Sequence, residues 1–152
     1  MTKEKPGTQR RMPGTYKVTE QVGHLMRKAY QRHLAIFQEN ASDPDLTAVQ
    51  FTTLCALRDN GPSSQAELVK VTAIDQATIR GIIERLKTRG LIKVTKDAQD
   101  GRKVIMSLLP AGETVLDDMY PRAFHISELT VANLNPAERM AFTYLLQKII
   151  DG

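Results

Sequence analysis

A change in the spacing of apolar residues near the middle of the chain constrains the fold more than any other feature of the sequence. Ser64 and Glu67 are spaced as a capping box, which predicts that a short helix begins here and covers residues 65–71. Leu68 and Val71 lie three positions apart in this segment and are predicted to form its buried side. A tight turn follows the short helix.

A longer helix is predicted directly after this turn. Asp75 is a good N-cap residue, and the helix is expected over residues 76–89. Its apolar residues fall at positions i, i+3, i+4 and i+7, which describes a single buried stripe. The stripe consists of Ile79, Ile82, Ile83 and Leu86. Gly90 follows the last turn, where glycine commonly ends a helix.

The apolar pattern then changes from helical to alternating. Residues 91–96 and 103–108 are predicted to form two strands. Asp100-Gly101 lies between them and is a strong signal for a hairpin turn. Two short helices that are joined by a tight turn and followed by a hairpin are typical of a winged helix-turn-helix.

Two helices are predicted before this motif. Residues 15–41 carry apolar side chains at spacings of three and four, which predicts a long helix. Thr47 and Gln50 form a capping box for the next helix, which is expected to stop at Asn60-Gly61-Pro62. The first 14 residues have Gly, Pro and charge but no apolar period, so we expect a flexible basic arm there.

Two more helices are predicted after the motif. The first runs from about Pro110 to residue 133, and Pro121 is expected to kink or split it. Asn135-Pro136 and Glu138 then combine an N-cap, a proline at the first helical position and an acidic third position. The sequence therefore predicts a mostly α-helical chain with a small β-hairpin wing.

The last helix carries an apolar stripe that is too large to be left in water. The stripe contains Leu145, Leu146, Ile149 and Ile150. Burial against a twofold-related second copy, together with the start of the first helix, is the expected solution. Packing within one chain is the alternative.

The positive charge is concentrated in one segment. Residues 64–103 carry nine Lys or Arg and five Asp or Glu, a net charge of +4, whereas residues 104–152 have a net charge of −3. A localised basic surface is expected of a protein that binds a phosphate backbone. The outer face of the helix over 76–89 supports this prediction, because its Gln, Thr and Arg side chains can hydrogen-bond base edges.

At this point the residues resemble a known family. The stretch from Asp75 to Ile92 is similar to the recognition helix and first wing strand of the MarR family. Asp100-Gly-Arg102 and Pro110-Ala-Gly112 resemble that family's wing and the entry to its next helix. The similarity covers about residues 16–150. One departure is Leu109, which stands where a threonine usually precedes the proline and leaves that helix without a side-chain cap.

The resemblance implies a homodimer that grips palindromic double-stranded DNA. Residues 46–109 would form the winged helix-turn-helix, and residues 15–45 and 110–152 would form the dimerisation helices. The recognition helix would enter the major groove, while Arg102 would enter the minor groove with Asp100 orienting its guanidinium. The predicted DNA-binding residues are Ser64, Gln76, Ala77, Thr78, Arg80, Gly81, Arg85, Lys87, Asp100, Arg102 and Lys103.

The resemblance also implies repression that is released by a small aromatic carboxylate, as in regulators of aromatic or N-heterocyclic acid catabolism. Such a ligand would bind between the dimer core and the winged lobe. Arg27 suits a carboxylate, while aromatic side chains would supply apolar walls. The candidate lining residues are His24, Arg27, Tyr30, His33 and Phe51.

Other functions are less consistent with the sequence. It contains no catalytic motif such as G-x-S-x-G or H-E-x-x-H and no metal-ligand spacing, so we expect neither an enzyme nor a cofactor. No signal peptide or membrane span is predicted, which indicates a cytoplasmic protein. Cys55 has apolar neighbours, which favours a small buried hydrophobe over a redox-sensing thiol. A sequence-independent architectural DNA binder and a protein-interaction winged helix remain the alternatives.

Overall fold

The computed structural model describes residues 14–152, and six α-helices and a small three-stranded sheet form in that part of the chain. The arm predicted over residues 1–14 lies outside the described residues, apart from Gly14. The helices are α1 (Val22–Asn40), α2 (Ala48–Asn60), α3 (Gln65–Thr72), α4 (Gln76–Thr88), α5 (Pro110–Thr130) and α6 (Pro136–Asp151). The strands are β1 (Ser63–Ser64), β2 (Ile92–Lys96) and β3 (Val104–Leu108). None of the described helices is long and apolar enough to cross a membrane.

The predicted first helix begins later than its apolar pattern indicated. A short 3-10 turn covers Val18–Glu20, and Gln21 has an extended backbone before α1 starts at Val22. The amide N–H of Gln21 donates to Val18, which closes the 3-10 turn instead of continuing an α-helix.

Local capping signals place the other helices where they were predicted. Thr47 and Gln50 form a reciprocal capping box at the start of α2, and Asn135 and Glu138 do the same for α6. Leu109 provides no side-chain cap for α5, as its apolar side chain predicted. The α5 helix continues through Pro121 as one element, so the predicted split does not occur.

The core of the winged lobe surrounds the inner face of α4. Ile79, Ile82, Ile83 and Leu86 are all buried, which confirms the predicted stripe. They pack in one cluster with residues of α2, α3 and the sheet, including Leu54, Leu68 and Met106. The prediction that Val71 is buried is wrong, because its side chain is 56% exposed. The inner face of α3 is centred between Leu68 and Val69, which leaves Val71 outside it.

The sheet contains one strand that the sequence pattern did not reveal. The strand order is β1-β3-β2, and both pairs are antiparallel. Ser63 pairs with Met106 and Ser64 with Ile105, so the residues just before α3 extend the hairpin into a sheet. This pairing anchors the start of α3 to the wing.

Two of the contacts between the winged lobe and the rest of the chain involve the end of α4 and the residues that follow it. The side chain of Arg89, at the end of α4, binds the carboxylate of Asp43 in the connection between α1 and α2. At the start of α5, a Cβ atom on Gly112 would overlap the carbonyl oxygen of Leu91 and the side chain of Leu108. The amide of Leu109 also donates to that Leu91 oxygen at 3.0 Å. The end of α4 therefore lies directly against the start of α5.

Candidate nucleic-acid interface and cavities

The turn between α3 and α4 sets the angle of the outward-facing helix. Ala73 adopts a left-handed backbone conformation (φ 57°), and its amide donates to Val69. Ile74 is buried beside it. A left-handed residue closes the helix in the way that glycine usually does. The sequence gives no signal for this conformation because the residue is alanine.

The outer face of α4 is open to solvent along its whole length. Every predicted reading residue on it is exposed, as the helical period required. These residues are Gln76, Ala77, Thr78, Arg80, Gly81, Arg85 and Lys87. Ala77 and Gly81 lie directly opposite the buried stripe, which leaves a smooth centre that allows close approach to a flat surface.

Asp75 caps α4 through both of its carboxylate oxygens. Oδ1 accepts a hydrogen bond from the amide of Thr78 at 2.9 Å, and Oδ2 accepts one from the Thr78 hydroxyl at 2.7 Å. These bonds from the Thr78 side chain and backbone hold the pKa of the Asp75 carboxyl below its usual range. The first turn of the helix is therefore rigid at its exposed end.

The hairpin turn predicted at Asp100-Gly101 lies within a longer loop at the tip of the wing. Residues 97–103 form the loop, and the amide of Lys103 donates to the carbonyl of Asp100 across Gly101 and Arg102. Gly101 is absent from the described residues with positive φ, so this is not the mirror-image turn that Asp-Gly favours in tight hairpins.

The predicted role of Asp100 also needs correction. Its carboxylate accepts a hydrogen bond from the backbone amide of Arg102 at 3.1 Å. Between residues 14 and 152, the guanidinium of Arg102 forms no ion pair with it. Asp100 therefore orders the loop backbone and leaves the Arg102 side chain free.

The cations of α4 and the wing are not neutralised within the described part of the chain. The ion pairs described over residues 14–152 involve Lys17, Arg58, Arg89 and Arg139. None includes the predicted DNA-binding cations, which are Arg80, Arg85, Lys87, Arg102 and Lys103. Helix and wing together present exposed cations that form no ion pair in this part of the chain, although Glu84 is also exposed on the outer face of α4.

Ser64 differs from the other predicted DNA-binding residues. Its hydroxyl donates to Glu67 Oε1 at 3.0 Å, and its oxygen accepts from the Glu67 amide at 3.2 Å. The reciprocal backbone bond of a full capping box is not formed. A phosphate oxygen can only accept hydrogen bonds, so Ser64 would have to release Glu67 before donating to one.

A large apolar groove separates α1 from α6. Its volume is about 550 Å³, and its lining includes Val22, Leu25, Met26, Tyr30, His33, Thr130, Phe142, Leu145, Leu146 and Ile149. No residue of α6 is buried, and the side chain of Ile149 is 64% exposed. Packing within the chain therefore does not cover the apolar stripe of α6.

A smaller cavity of about 230 Å³ lies between α2 and α5. Its lining residues are Phe51, Cys55, Asp59, Tyr120, Ala123, Phe124 and Ser127. The Phe51 ring packs edge-on against Tyr120, with 6.2 Å between centroids. Burial raises the pKa of the Cys55 thiol to about 11, so the thiol is protonated at neutral pH.

The five predicted ligand residues do not line one cavity. Tyr30 and His33 face the α1–α6 groove, Phe51 faces the α2–α5 cavity, and His24 and Arg27 line neither. The Nδ1 atom of His33 lies 2.9 Å from the Thr130 hydroxyl, which itself donates to the Ile126 carbonyl. His33 must therefore donate through Nδ1, and burial lowers its pKa.

Comparisons with known proteins agree with this architecture. The model of the MarR family matches residues 45–103. The HTH-type transcriptional repressor NicR of Pseudomonas putida is 64% identical over 137 residues, which cover 90% of this chain and 87% of NicR.

Two solved structures are similar over nearly the whole chain. One is BpsR of Bordetella bronchiseptica, whose DNA binding is regulated by 6-hydroxynicotinic acid. It has a TM-score of 0.86 and 53% identity, covering 91% of this chain and 100% of BpsR. The other is the PcaV regulator of Streptomyces coelicolor in complex with its natural ligand. It has a TM-score of 0.81 and 26% identity, covering 92% of this chain and 99% of PcaV.

Proposed function

The chain belongs to the MarR family of transcriptional regulators, and from this membership we propose that it is a homodimeric repressor of an inverted-repeat operator. The family's members regulate transcription by binding DNA, which agrees with the expectation that the chain is not an enzyme. The observation that carries the proposal is the open outer face of α4, flanked by cations that form no ion pair between residues 14 and 152.

In this proposal, α4 lies in the major groove. Gln76 and Arg80 hydrogen-bond base edges, because their forked donor and acceptor groups match adenine and guanine. Ala77 and Gly81 let the helix approach closely. Arg85, Lys87 and Lys103 neutralise phosphates, and the free guanidinium of Arg102 enters the adjacent minor groove. Ser64 contributes only where Glu67 releases it.

The dimer forms through the helices outside residues 46–109, with α6 of one copy filling the α1–α6 groove of the other. A groove of about 550 Å³ with a nearly continuous apolar lining would be unfavourable in water. A twofold arrangement buries the same surface on both copies. It also sets two recognition helices at the spacing that an inverted repeat requires.

The effector in this proposal is a small aromatic acid of the N-heterocyclic kind. The similarity to BpsR supports this class, because 6-hydroxynicotinic acid regulates the DNA binding of that protein. The α2–α5 cavity, with Phe51 and Tyr120 in its wall, has the size and aromatic character for one ring.

The carboxylate of this acid needs a cationic partner, and neither cavity has a guanidinium in its lining. The proposal keeps the sequence-based assignment of this role to Arg27, which is exposed on α1 and forms no ion pair with residues 14–152, so its side chain would have to reach the carboxylate from outside the α2–α5 cavity. In this arrangement, the aromatic ring of the ligand is closer to Phe51 and Tyr120, whereas His24, Tyr30 and His33 lie closer to the dimer interface.

Selection of bound sequences from random duplex DNA at about 150 mM salt tests the proposal. We expect enrichment of an inverted repeat whose half-sites lie about one helical turn apart. Enrichment of no sequence, with binding that collapses as salt rises, would instead support an architectural DNA binder. Release of the enriched duplex by 6-hydroxynicotinic acid would support the effector class.

A further inference from the structure

We propose that Asp75 determines which bases Thr78 recognises, by fixing the direction of the Thr78 hydroxyl proton. The inference rests on the proposed function, because it assumes that the first turn of α4 faces the major groove. It adds a positioning residue that sets sequence specificity without itself reading a base.

The geometry allows only one direction for the hydroxyl proton of Thr78. An ionised carboxylate only accepts hydrogen bonds, so both contacts between the two residues must be donated by Thr78. The amide proton of Thr78 goes to Oδ1 and its hydroxyl proton goes to Oδ2, over 2.9 and 2.7 Å. The Thr78 hydroxyl oxygen then presents only lone pairs to a ligand, beside the methyl group.

This polarity restricts the bases that Thr78 can bond. In the major groove, adenine N6 and cytosine N4 are donors, whereas guanine N7 and O6 and thymine O4 are acceptors. Because the Thr78 hydroxyl oxygen can only accept hydrogen bonds, it can pair with the amino group of adenine or cytosine. Guanine would place acceptor atoms against its lone pairs. We therefore expect adenine or cytosine on the strand that Thr78 faces.

Helix capping alone does not explain a carboxylate at this position. Asparagine caps helices as well as aspartate does. Asp75 is exposed at the end of a surface that carries unpaired cations and the acidic Glu84, and a further negative charge there opposes phosphate binding. The neutral amide would therefore cap α4 with less repulsion. What asparagine cannot do is accept the hydroxyl proton of Thr78 with the group that replaces Oδ2.

The substitution Asp75→Asn tests the inference because it should keep the cap and free the proton. Its amide oxygen accepts from the Thr78 backbone, while its NH₂ group donates to the Thr78 oxygen. The hydroxyl can then donate to guanine or thymine. In selection from random duplexes, we expect the ratio of adenine plus cytosine to guanine plus thymine at one position per half-site to fall about fivefold.

Two further variants complete the experiment. Thr78→Val keeps the shape and one methyl group but lacks the hydroxyl, so the preference at the same position should be lost even if Asp75→Asn folds poorly. Asp97→Asn is the matched control. Among the residues that the structure describes, the Asp97 carboxylate accepts a hydrogen bond only from the backbone amide of Gln99, so this change removes one charge from the wing and frees no hydroxyl. It should raise affinity for all duplexes and leave base preferences unchanged.

The outcomes separate this inference from the proposed function. Wild-type protein that enriches no repeat would overturn both. A retained repeat with identical base frequencies for wild type and Asp75→Asn would overturn the inference alone, as would an unchanged preference in Thr78→Val. A changed preference at one and the same position in both variants, with none in Asp97→Asn, would support it.

Discussion

The guanidinium of Arg58 lies over the ring of Tyr120, 5.0 Å from the ring centroid. The same group donates to the carboxylates of Glu113 and Asp117 at 2.6 and 2.7 Å. Arg58 belongs to α2 in the winged lobe, whereas its three partners belong to α5. One side chain therefore joins the DNA-binding lobe to the predicted dimerisation helices.

Arg58→Ala should reduce the free energy of unfolding by more than the loss of an isolated exposed ion pair does, because it removes two charge-assisted bonds and the contact with the Tyr120 ring. Arg58→Lys should lose less, since it keeps the charge but not the forked geometry. Urea unfolding measures both. Arg139→Ala is the control, because Arg139 pairs with the exposed Glu128 and should contribute less. Equal losses for Arg58→Ala and Arg139→Ala would contradict the role of Arg58 as a stabilising link between α2 and α5.

Arg80→Ala should weaken binding to the preferred duplex by about 1–3 kcal/mol and relax the base preference at one position. Lys93→Ala, on the exposed edge of β2, should weaken binding to preferred and random duplexes equally if its ammonium meets phosphate. Fluorescence anisotropy with both duplexes distinguishes these effects. The base-reading role of Arg80 fails if its loss is the same on random DNA.

Leu145→Asp should convert the dimer to monomers, because it places a charge in the apolar α1–α6 groove. Thr143→Asp lies on the same helix but does not line the groove, so it should leave the dimer intact. Size-exclusion chromatography with light scattering gives the mass of each species. A dimer that survives Leu145→Asp would place the interface elsewhere.

Addition of 6-hydroxynicotinic acid should raise the melting temperature of the DNA-free protein, because a ligand that binds only the folded state stabilises it. Arg27→Ala should abolish the rise through loss of the carboxylate's partner. Arg32→Ala, which removes a second exposed cation of α1, should retain it. If the rise persists in Arg27→Ala, Arg27 is not part of the site.

The thiol of Cys55 should react slowly with iodoacetamide near neutral pH. Burial raises its pKa from 9.0 to about 11, so the reactive thiolate is scarcer in the folded protein at any pH below that value. At pH 8 the folded protein should react about a hundredfold more slowly than the urea-unfolded chain. The rate should rise with pH until about 11. Equal rates at pH 8 would indicate an accessible thiol with an ordinary pKa, and a faster reaction in the folded protein would revive the redox-sensor alternative.

Features that depend on neighbouring residues in the chain could be predicted from the sequence. The caps at Thr47, Asp75 and Asn135 and the buried stripe of α4 follow from local spacing alone. The burial of Val71 could not be predicted, because it depends on which side of α3 meets α2 and the sheet. Strand β1 also escaped prediction, since two serines carry no alternating pattern and pair only through β3.

In the candidate site too, features set by local spacing could be predicted from the sequence, and features set by packing could not. The exposure of Arg80 and its neighbours follows from helical geometry, so the outer face of α4 could be identified residue by residue. The hydrogen-bond directions of Ser64 and Thr78 depend on how each cap closes, which spacing does not specify. Four of the five predicted ligand residues share α1, but Phe51 belongs to α2 and faces the α2–α5 cavity, whereas Tyr30 on α1 faces the α1–α6 groove.

The contact between Gly112 and the Leu91 carbonyl also has a genetic consequence. Every single-base missense change at a glycine codon introduces a residue with a side chain, and none would fit against that oxygen without moving backbone. No single-base missense change at codon 112 should therefore be tolerated, although Gly112 contacts neither DNA nor ligand in our proposal. Loss-of-function alleles should accumulate at this codon as readily as at those for the recognition helix.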